Sequence, residues 1–192
     1  MEIKWEISPE NPQFLIIFID KEPWKEVYKS IFIRHLSGIR RVHSLEDLQV
    51  KFQLLEDQLS KGYSLKLIGL KGRTTQELKN KLAEKGFSER SIDLAISVCQ
   101  RLGFLNDQEE YRGFVRRELR KGYGPNLIAM KLRAKHPDAN IVELLAEARE
   151  AQEEAIQNVI RKKCKKITDK RKVMQTLQRR GFDWDIIKSL LY

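Results

Sequence analysis

The spacing of apolar residues changes character once along the chain. Near the N-terminus, Ile3, Trp5 and Ile7 alternate with polar residues, and a β-branched and aromatic run occupies residues 14–19 after a proline-containing break. Such runs are typical of strands, so this part predicts a β-hairpin. From Ser44 onward, apolar residues recur three and four positions apart, which predicts helices, with Ser44 as the N-cap of the first one.

The helical part contains one segment three times. Residues 81–87, 131–137 and 176–182 superimpose at offsets of 50 and 45 positions, and so do their flanks. This shared register predicts that the corresponding apolar residues face the core. These residues are Leu65, Val115 and Ile160; Leu78, Ile128 and Val173; Leu82, Leu132 and Leu177; and Ile96, Ala146 and Leu191.

Residues that cap helices occupy matching positions in the three repeats. Ser88, Asp138 and Asp183 correspond, and the side-chain oxygen of each can accept hydrogen bonds from the unpaired amides at a helix start. Further helix starts are predicted at Thr74, Pro125 and Asp169. Each repeat is therefore expected to hold three helices.

The fold class that follows is mainly α: an elongated tandem array of three three-helix repeats, preceded by a small N-terminal segment with a β-hairpin and a helix. The predicted domains are the N-terminal segment at residues 1–56 and the repeats at residues 57–106, 107–150 and 151–192. The expected helices are 57–71, 75–85 and 89–102; then 107–121, 125–135 and 139–150; and finally 151–166, 170–180 and 184–191.

The N-terminal part of the chain differs from the rest in charge. The protein carries 37 Lys and Arg against 27 Asp and Glu, a net charge of +10. Residues 1–58 have eight basic and ten acidic residues, whereas residues 151–192 have eleven basic and five acidic ones. The excess of cations favours a polyanionic partner, with nucleic acid as the first candidate.

Clusters of lysine and arginine are the candidate contact residues, because such side chains neutralise phosphates and release counterions. The alternative for each is an ordinary solvated helix face. The candidates are Arg116, Arg117, Arg120, Lys121, Lys131, Arg133, Lys135, Arg161, Lys162, Lys165, Lys166, Lys170, Arg171, Lys172, Arg179 and Arg180. Two repeat positions are basic in every copy, so a stacked array would present a periodic cationic track. They hold Lys71, Lys121 and Lys166, and Lys85, Lys135 and Arg180.

Little in the sequence supports catalysis or metal binding. His35, His43 and His136 do not form a metal-binding pattern, and the phosphate-binding-loop and serine-nucleophile motifs are absent. The acidic residues within 107–110 fit the first turn of a helix, where carboxylates stabilise the helix dipole. We therefore expect no enzymatic activity, no cofactor and no metal.

The cysteines and the N-terminus bear on location. Cys99 and Cys164 form neither a disulfide framework nor a metal-ligand pair, which fits a reducing compartment. The first residues are acidic and proline-containing, unlike a signal peptide, and no apolar stretch reaches the roughly 20 residues that cross a bilayer. A cytoplasmic protein without a membrane partner is expected.

The centre of the chain carries a recognisable signature. It comprises the Gly-Phe-Leu-Asn-Asp run at 103–107, then Tyr111, Phe114 and Val115, then Arg120, Lys121, Gly122 and Gly124, and finally Ile128 and Leu132. Together with Arg73, Thr74, Glu77, Leu78 and Leu82 upstream, this pattern resembles the central signature of the RecX regulatory proteins. The resemblance covers residues 57–192 and is weak before them.

The chain departs from the family pattern at three places. Arg112 stands where the family usually has a small residue, and residues 135–137 read Lys-His-Pro instead of Lys-Gly-Ile. Ile167 stands where the other repeats have Gly72 and Gly122. A divergent member of the family is therefore expected.

The resemblance implies a modulator of the RecA recombinase. Proteins of this family bind the recombinase filament on single-stranded DNA, lie in its groove, and inhibit its ATPase, strand-exchange and co-protease activities. The implied partners are the filament and single-stranded DNA, with duplex DNA as a further candidate, and the implied processes are recombination, DNA repair and the SOS response. A monomer is expected, with the arginines that follow residues 106–107 on the contact surface.

Two other functions remain open on the sequence. A helix-turn-helix regulator of duplex DNA would use the two helices around residues 85–88, although the second of them is strongly amphipathic and the hairpin occurs three times. A metal-dependent nuclease would need carboxylates assembled from distant positions.

Overall fold

The computed structural model describes residues 1–40, 42–163 and 169–192, except for the side chains of Glu147 and Lys163. These residues form a small antiparallel sheet followed by helices, which confirms the mainly α fold with a β segment at its N-terminus. Tertiary contacts divide the chain into two compact units, an N-terminal unit at Met1–Asp107 and a C-terminal unit at Gln108–Tyr192.

The sheet has one strand more than the predicted hairpin. Its antiparallel strands, in sheet order, are β1 (Ile3–Ile7), β2 (Phe14–Ile19) and β3 (Glu22–Tyr28). Ile3 lies opposite Ile19, which sets the register of the first pair. The polar sequence of β3 and its proline conceal the third strand, because proline is rare inside strands; here Pro23 lies at an irregularity of the β2–β3 register.

The sheet packs on the helices that follow it. They are α1 (Lys29–Phe32), a 3-10 turn (Leu36–Ile39) and α2 (Leu45–Leu70). Phe32 is fully buried, and its ring lies 5.9 Å from that of Phe52 and 5.5 Å from that of Phe87. The N-terminal segment therefore shares one hydrophobic core with the helices of the first repeat.

The helix α2 is uninterrupted, so the separate helix predicted to begin at residue 57 is wrong. Ser44 caps α2 as predicted and accepts a hydrogen bond from the amide of Asp47 at 3.1 Å. Two further helices, α3 (Thr75–Ala83) and α4 (Glu89–Arg101), complete the N-terminal unit. Thr74 caps α3, since its hydroxyl accepts from the amide of Glu77 at 3.2 Å, and this cap confirms the prediction.

One predicted core residue of α2 faces the solvent. Leu65 is 42% exposed, whereas Ser60 and Ser64 are fully buried. Ser60 Oγ donates a hydrogen bond to the carbonyl of Ser91 on α4 at 3.1 Å. The side of α2 with small serines thus lies against α4, and this contact turns Leu65 away from the core.

The C-terminal unit consists of helices. They are α5 (Asp107–Arg120, whose first residue closes the N-terminal unit), α6 (Pro125–Lys135), α7 (Ile141–Leu144), α8 (Ala146–Glu150), α9 (Gln152–Lys163), α10 (Lys170–Arg179) and α11 (Trp184–Leu191). Asp169 caps α10 as predicted, by accepting from the amide of Arg171 at 2.9 Å.

The stretch predicted as one helix over 139–150 is instead the two short helices α7 and α8, and Asp138 is not their cap. Asn140 takes the N-cap position and accepts from the amide of Glu143 at 3.5 Å. The amide of Ala139 donates to the carbonyl of His136 at 3.1 Å, so the chain is still turning where the helix was expected to start. Ala146, predicted as core, is exposed for this reason, and Leu145 is buried in its place.

Most other predicted core residues are buried. They are Leu78, Leu82, Ile96, Val115, Ile128, Leu132, Val173 and Leu177, while Ile160 and Leu191 are half-buried. In the C-terminal unit they fall into two clusters, one around Ile128 and Leu132 and one around Leu177 and Ile187. The apolar periodicity therefore located the cores correctly wherever the helices were single and regular.

Two backbone turns of the C-terminal unit touch directly. The amide of Gly124 donates to the carbonyl of Arg180 at 2.7 Å, and the amide of Asn126 donates to that of Gly181 at 3.0 Å. A Cβ at Gly124 would lie 2.5 Å from the Gly181 carbonyl, so a side chain does not fit there. Gly181 has a φ of +86°, a left-handed conformation that favours glycine.

The predicted caps Ser88 and Asp183 occupy the N-cap positions of α4 and α11, but their side chains bind other helices instead. Ser88 donates to Glu56 through its amide and its hydroxyl, both at 2.8 Å. Asp183 accepts from Gln152 Nε2 at 2.6 Å, and its amide donates to Gln152 Oε1 at 3.0 Å. In the first and third repeats, a buried polar side chain thus ties the last helix to the first.

Glu56 is expected to make a large contribution to the stability of the N-terminal unit. It is fully buried, accepts from Ser88, and forms an ion pair with Lys25 of β3 at 3.1 Å. Removing one partner of a buried pair costs about 3–5 kcal/mol. We expect Glu56→Ala to lower the free energy of unfolding by about 3 kcal/mol in urea titrations, because Lys25 retains partial solvent exposure. The exposed Glu10→Ala is the control, and an equal loss in both variants would contradict this role.

Two glycine substitutions with opposite expected effects on stability test the contact between the turns of the C-terminal unit. Gly124→Ala should destabilise the protein by about 2 kcal/mol, because its methyl group would overlap the Gly181 backbone. Gly62→Ala, in the exposed part of α2 with no neighbouring atom within 4 Å, should instead stabilise the protein by about 1 kcal/mol. Thermal unfolding compares the two, and a stable Gly124→Ala variant would show that the close approach is not required.

Candidate functional site

The predicted contact residues that the structure describes all belong to the C-terminal unit. Lys165 and Lys166 lie outside the described residues. The others differ in what surrounds them: some form ion pairs, some contact rings or carbonyl groups, and some have no acidic partner. This division decides which of them are available to a ligand.

Acidic residues in the first turn of α5 neutralise part of its arginine cluster. Arg117 pairs with Glu110 at 2.7 Å, and Arg116 lies 3.7 Å from Glu109. A hydrogen bond and the charge of Arg112, together with the charge of Arg116, hold the pKa of Glu109 below its usual value. Glu109 and Glu110 thus pair with arginines on the same helix in addition to complementing its dipole.

Glu118 is a buried carboxylate that binds two of the predicted lysines. Only 5% of it is exposed, and it accepts hydrogen bonds from Lys121 and, at 2.6 Å, from Lys131. Burial acts to raise the pKa of Glu118, but the hydrogen bonds and charges of the two lysines outweigh burial and leave the pKa below its usual value. Lys131 also lies 3.5 Å from the centre of the Tyr123 ring, so its position is fixed within the fold.

Lys85, Lys135 and Arg180 hold the same repeat position and have similar surroundings. Each cation lies over an aromatic ring of its own unit. The distances to the ring centres are 3.7 Å for Lys85 and Tyr28, 5.9 Å for Lys135 and Phe114, and 5.7 Å for Arg180 and Tyr123. Arg180 also donates to the Gly122 carbonyl at 3.1 Å. This row of cations therefore contributes to packing within each unit.

The remaining predicted cations are exposed. Arg161, Lys170 and Arg179 make hydrogen bonds to uncharged groups, namely the Asn158 side chain and the carbonyls of Leu191 and Gln175. Among the described residues, a second group of these cations likewise has no ion-pair partner. It consists of Arg120, Arg133, Lys162, Arg171 and Lys172.

Three predicted cations from two different repeats line one groove. Arg120 at the end of α5, Lys121 directly after it and Lys162 of α9 line a cavity of about 440 Å³. Within the C-terminal unit, the structure thus brings residues of the second and third repeats to a common surface. Arg133 and Arg171 are not among the groove residues.

The described residues offer no support for metal binding or for a reactive thiol. They contain no group of three or more His, Cys, Asp or Glu side chains placed to hold a metal ion. Cys99 is buried, and burial raises the pKa of its thiol, which keeps it unreactive. In the described part of the chain, no helix has the length and apolar character needed to span a bilayer.

Comparison with known proteins places the chain in a family. The model for the first three-helix domain of RecX matches residues 61–99, and the model for the third matches residues 150–191. A regulatory protein RecX of Haemophilus influenzae strain PittEE is 30% identical over 141 residues, which cover 69% of this chain and 93% of the relative. The chain belongs to the RecX family.

Solved RecX structures share the fold. The crystal structure of RecX from Lactobacillus salivarius is 25% identical, with a TM-score of 0.61 over 71% of this chain and 94% of that one. A second crystal structure of a regulatory protein RecX is 19% identical, with a TM-score of 0.60 over 97% of both chains. The likeness in fold therefore includes the N-terminal residues in which the sequence resembles the family only weakly.

Glu118 has a structural role, although it belongs neither to the RecX signature residues nor to the basic clusters. The sequence does not mark Glu118 as the partner of Lys121 and Lys131, because its own neighbours in the sequence are arginine and leucine. The spacing from Tyr111 to Val115 to Glu118 places all three on one side of α5, and all three are buried. This spacing is the feature of the sequence that could have indicated a buried Glu118. The contact between the turns at Gly124 and Gly181 has no comparable signal, since it joins residues far apart in sequence.

The lowered pKa of Glu118 predicts a pH-dependent contribution to stability. Because the pKa is lower in the folded protein, the contribution is fully present above the unfolded pKa, about 4.3, and is lost as pH falls through the folded value. Glu118→Gln should therefore be about 1–3 kcal/mol less stable than the parent near pH 7, and the difference should shrink at acidic pH. Urea unfolding at several pH values measures this, with the exposed Glu153→Gln as control. A difference that persists at low pH would refute the assignment.

Proposed function

We propose that this RecX-family protein regulates the RecA recombinase by binding its filament on single-stranded DNA. Binding lowers the ATPase, strand-exchange and co-protease activities of the filament, and so moderates recombination, DNA repair and the SOS response. Membership in the RecX family is the observation that carries the proposal. The protein acts as a binding regulator without catalysis, as a cytoplasmic monomer.

The basic start of α10 supports a contact with a polyanion. Lys170, Arg171 and Lys172 form its first turn, where positive charge opposes the helix dipole and costs stability. Asp169 offsets part of this cost as the N-cap. Lys170 donates to the carbonyl of Leu191, whereas Arg171 and Lys172 have no ion-pair partner among the described residues and suit a role in neutralising phosphates.

The geometry of the first repeat argues against a helix-turn-helix that reads duplex DNA. The exposed face of α4 includes Glu89 and Asp93, and Asp93 pairs with Lys79 of α3 at 2.8 Å. On a recognition helix inserted into the DNA groove, these carboxylates would be repelled by the flanking phosphates. The turn before α4 also lies on the sheet, since a Cβ at Gly86 would be 3.2 Å from the carbonyl of Glu26. Filament binding therefore remains the better-supported function.

A recombinase assay tests the proposal. Purified protein added to RecA on single-stranded DNA should lower the rate of ATP hydrolysis, and the effect should weaken with increasing salt because ionic contacts contribute. Full ATPase activity at every ratio of the two proteins, with the folded state checked by circular dichroism, would refute it.

Charge reversal in α10 locates the contact. The double variant Arg171→Glu, Lys172→Glu should need roughly fivefold more protein for half-inhibition, because two phosphate contacts are lost. The same change improves the charge at the helix start, so the variant should unfold at the same or a higher temperature. Unfolding therefore cannot explain a loss of inhibition.

The control for α10 is Lys51→Glu, Lys66→Glu on the exposed side of α2, where neither lysine has an ion-pair partner among the described residues. Lys25 is unsuitable as a control because it pairs with the buried Glu56. Equal losses of inhibition in the α10 and α2 variants would remove α10 from the contact surface.

A further inference from the structure

The groove between the end of α5 and the helix α9 has features that phosphate binding does not require. Its volume, about 440 Å³, is within the range of sites that hold small ligands or side chains. Four of the lining residues are apolar, and the polar ones lie among them. The apolar lining residues are Leu119, Ala151, Ala155 and Val159.

The backbone turn after α5 helps to shape this groove. Gly122 has a φ of +80°, and a Cβ there would lie 2.9 Å from Val159 Cγ2. The turn therefore approaches α9 more closely than any other residue would allow. Ala151, just before α9, and Ala155 on α9 line the groove with small side chains, so space remains between the two helices.

The polar lining of the groove is mainly positive. Arg120 and Lys162 have no ion-pair partner among the described residues, and Lys121 shares its charge with Glu118. Glu154 is the acidic side chain among the lining residues. An apolar surface flanked by free cations is complementary to an apolar side chain flanked by carboxylates. A nucleic acid backbone would use the cations and leave the apolar surface without a partner.

We propose that this groove binds an acidic peptide segment of a protein partner. One leucine or phenylalanine of the peptide packs on Leu119, Ala155 and Val159, and neighbouring aspartates or glutamates pair with Arg120 and Lys162. The inference goes beyond the proposed regulation of the recombinase and does not require it, because the site is defined by its own chemistry and is tested without recombinase or DNA.

Direct binding of labelled peptides tests the groove. The probe is a short fluorescent peptide rich in aspartate and glutamate with one central phenylalanine, and its partner differs only by serine at that position. Fluorescence anisotropy with the full chain should give about tenfold tighter binding for the phenylalanine peptide, because burying that ring contributes about 1.4 kcal/mol or more. Equal affinity for the two peptides would overturn the proposal.

Two variants locate the binding. Ala155→Trp would fill the groove and should abolish the advantage of phenylalanine over serine, while Lys162→Glu should weaken both peptides. Lys188→Glu, an exposed reversal on α11, is the matched control and should leave both affinities unchanged. Circular dichroism checks folding, and Lys162→Glu keeps the test decisive if Ala155→Trp fails to fold. Unchanged peptide binding in Lys162→Glu would overturn the site.

The competing occupant is a nucleic acid. A single-stranded oligonucleotide should displace the phenylalanine peptide only at concentrations well above those of the unlabelled peptide. If the oligonucleotide competes equally well, and Lys162→Glu weakens both alike, the groove is a phosphate-binding surface and the peptide proposal is wrong. Because no recombinase is present, either result leaves the ATPase test of the proposed function independent.

Discussion

Glu56 and Glu118 are buried carboxylates, and each has at least one lysine from another element as its counter-charge. Glu56 binds Lys25 of β3 and the start of α4, and Glu118 binds Lys131 of α6 and Lys121. A buried carboxylate without such partners would cost several kcal/mol. These contacts hold the sheet and helices of one unit, and α5 and α6 of the other, in register. They also pair three lysines with carboxylates inside the fold.

The remaining positive charge is what the protein can offer to a partner. In the C-terminal unit, cations without an ion-pair partner among the described residues include those at the start of α10 and beside the groove between α5 and α9, as well as Arg133. The cations at the start of α10 oppose the helix dipole, and those beside the groove flank an apolar surface. The two places therefore have different chemistry, one suited to phosphates and the other to an acidic segment with an apolar side chain.

The sequence predicted more of the fold than of the site, and particular residues show why. Leu78, Leu82, Ile128, Leu132 and Leu177 were placed in the core correctly, because each lies on a regular amphipathic helix. Ser88 and Asp183 were placed correctly at helix starts, but their hydrogen bonds go to Glu56 and Gln152, which are more than 30 positions away. Asp138 failed as a cap because Asn140, two residues later, serves the same purpose.

By itself, the sequence determined the helical repeats, the small β segment and several caps, since all of these depend on residue types at short and regular spacings. Its central signature resembled the family to which comparison then assigned the chain. Only the tertiary structure decided that β3 exists, that Leu65 faces solvent, and which cations are free. Arg116 and Lys172 look alike in the sequence, yet one lies beside a glutamate and the other has no acidic partner among the described residues. The physical reason is that charge pairing and burial depend on distances in space, and residues remote along the chain set those distances.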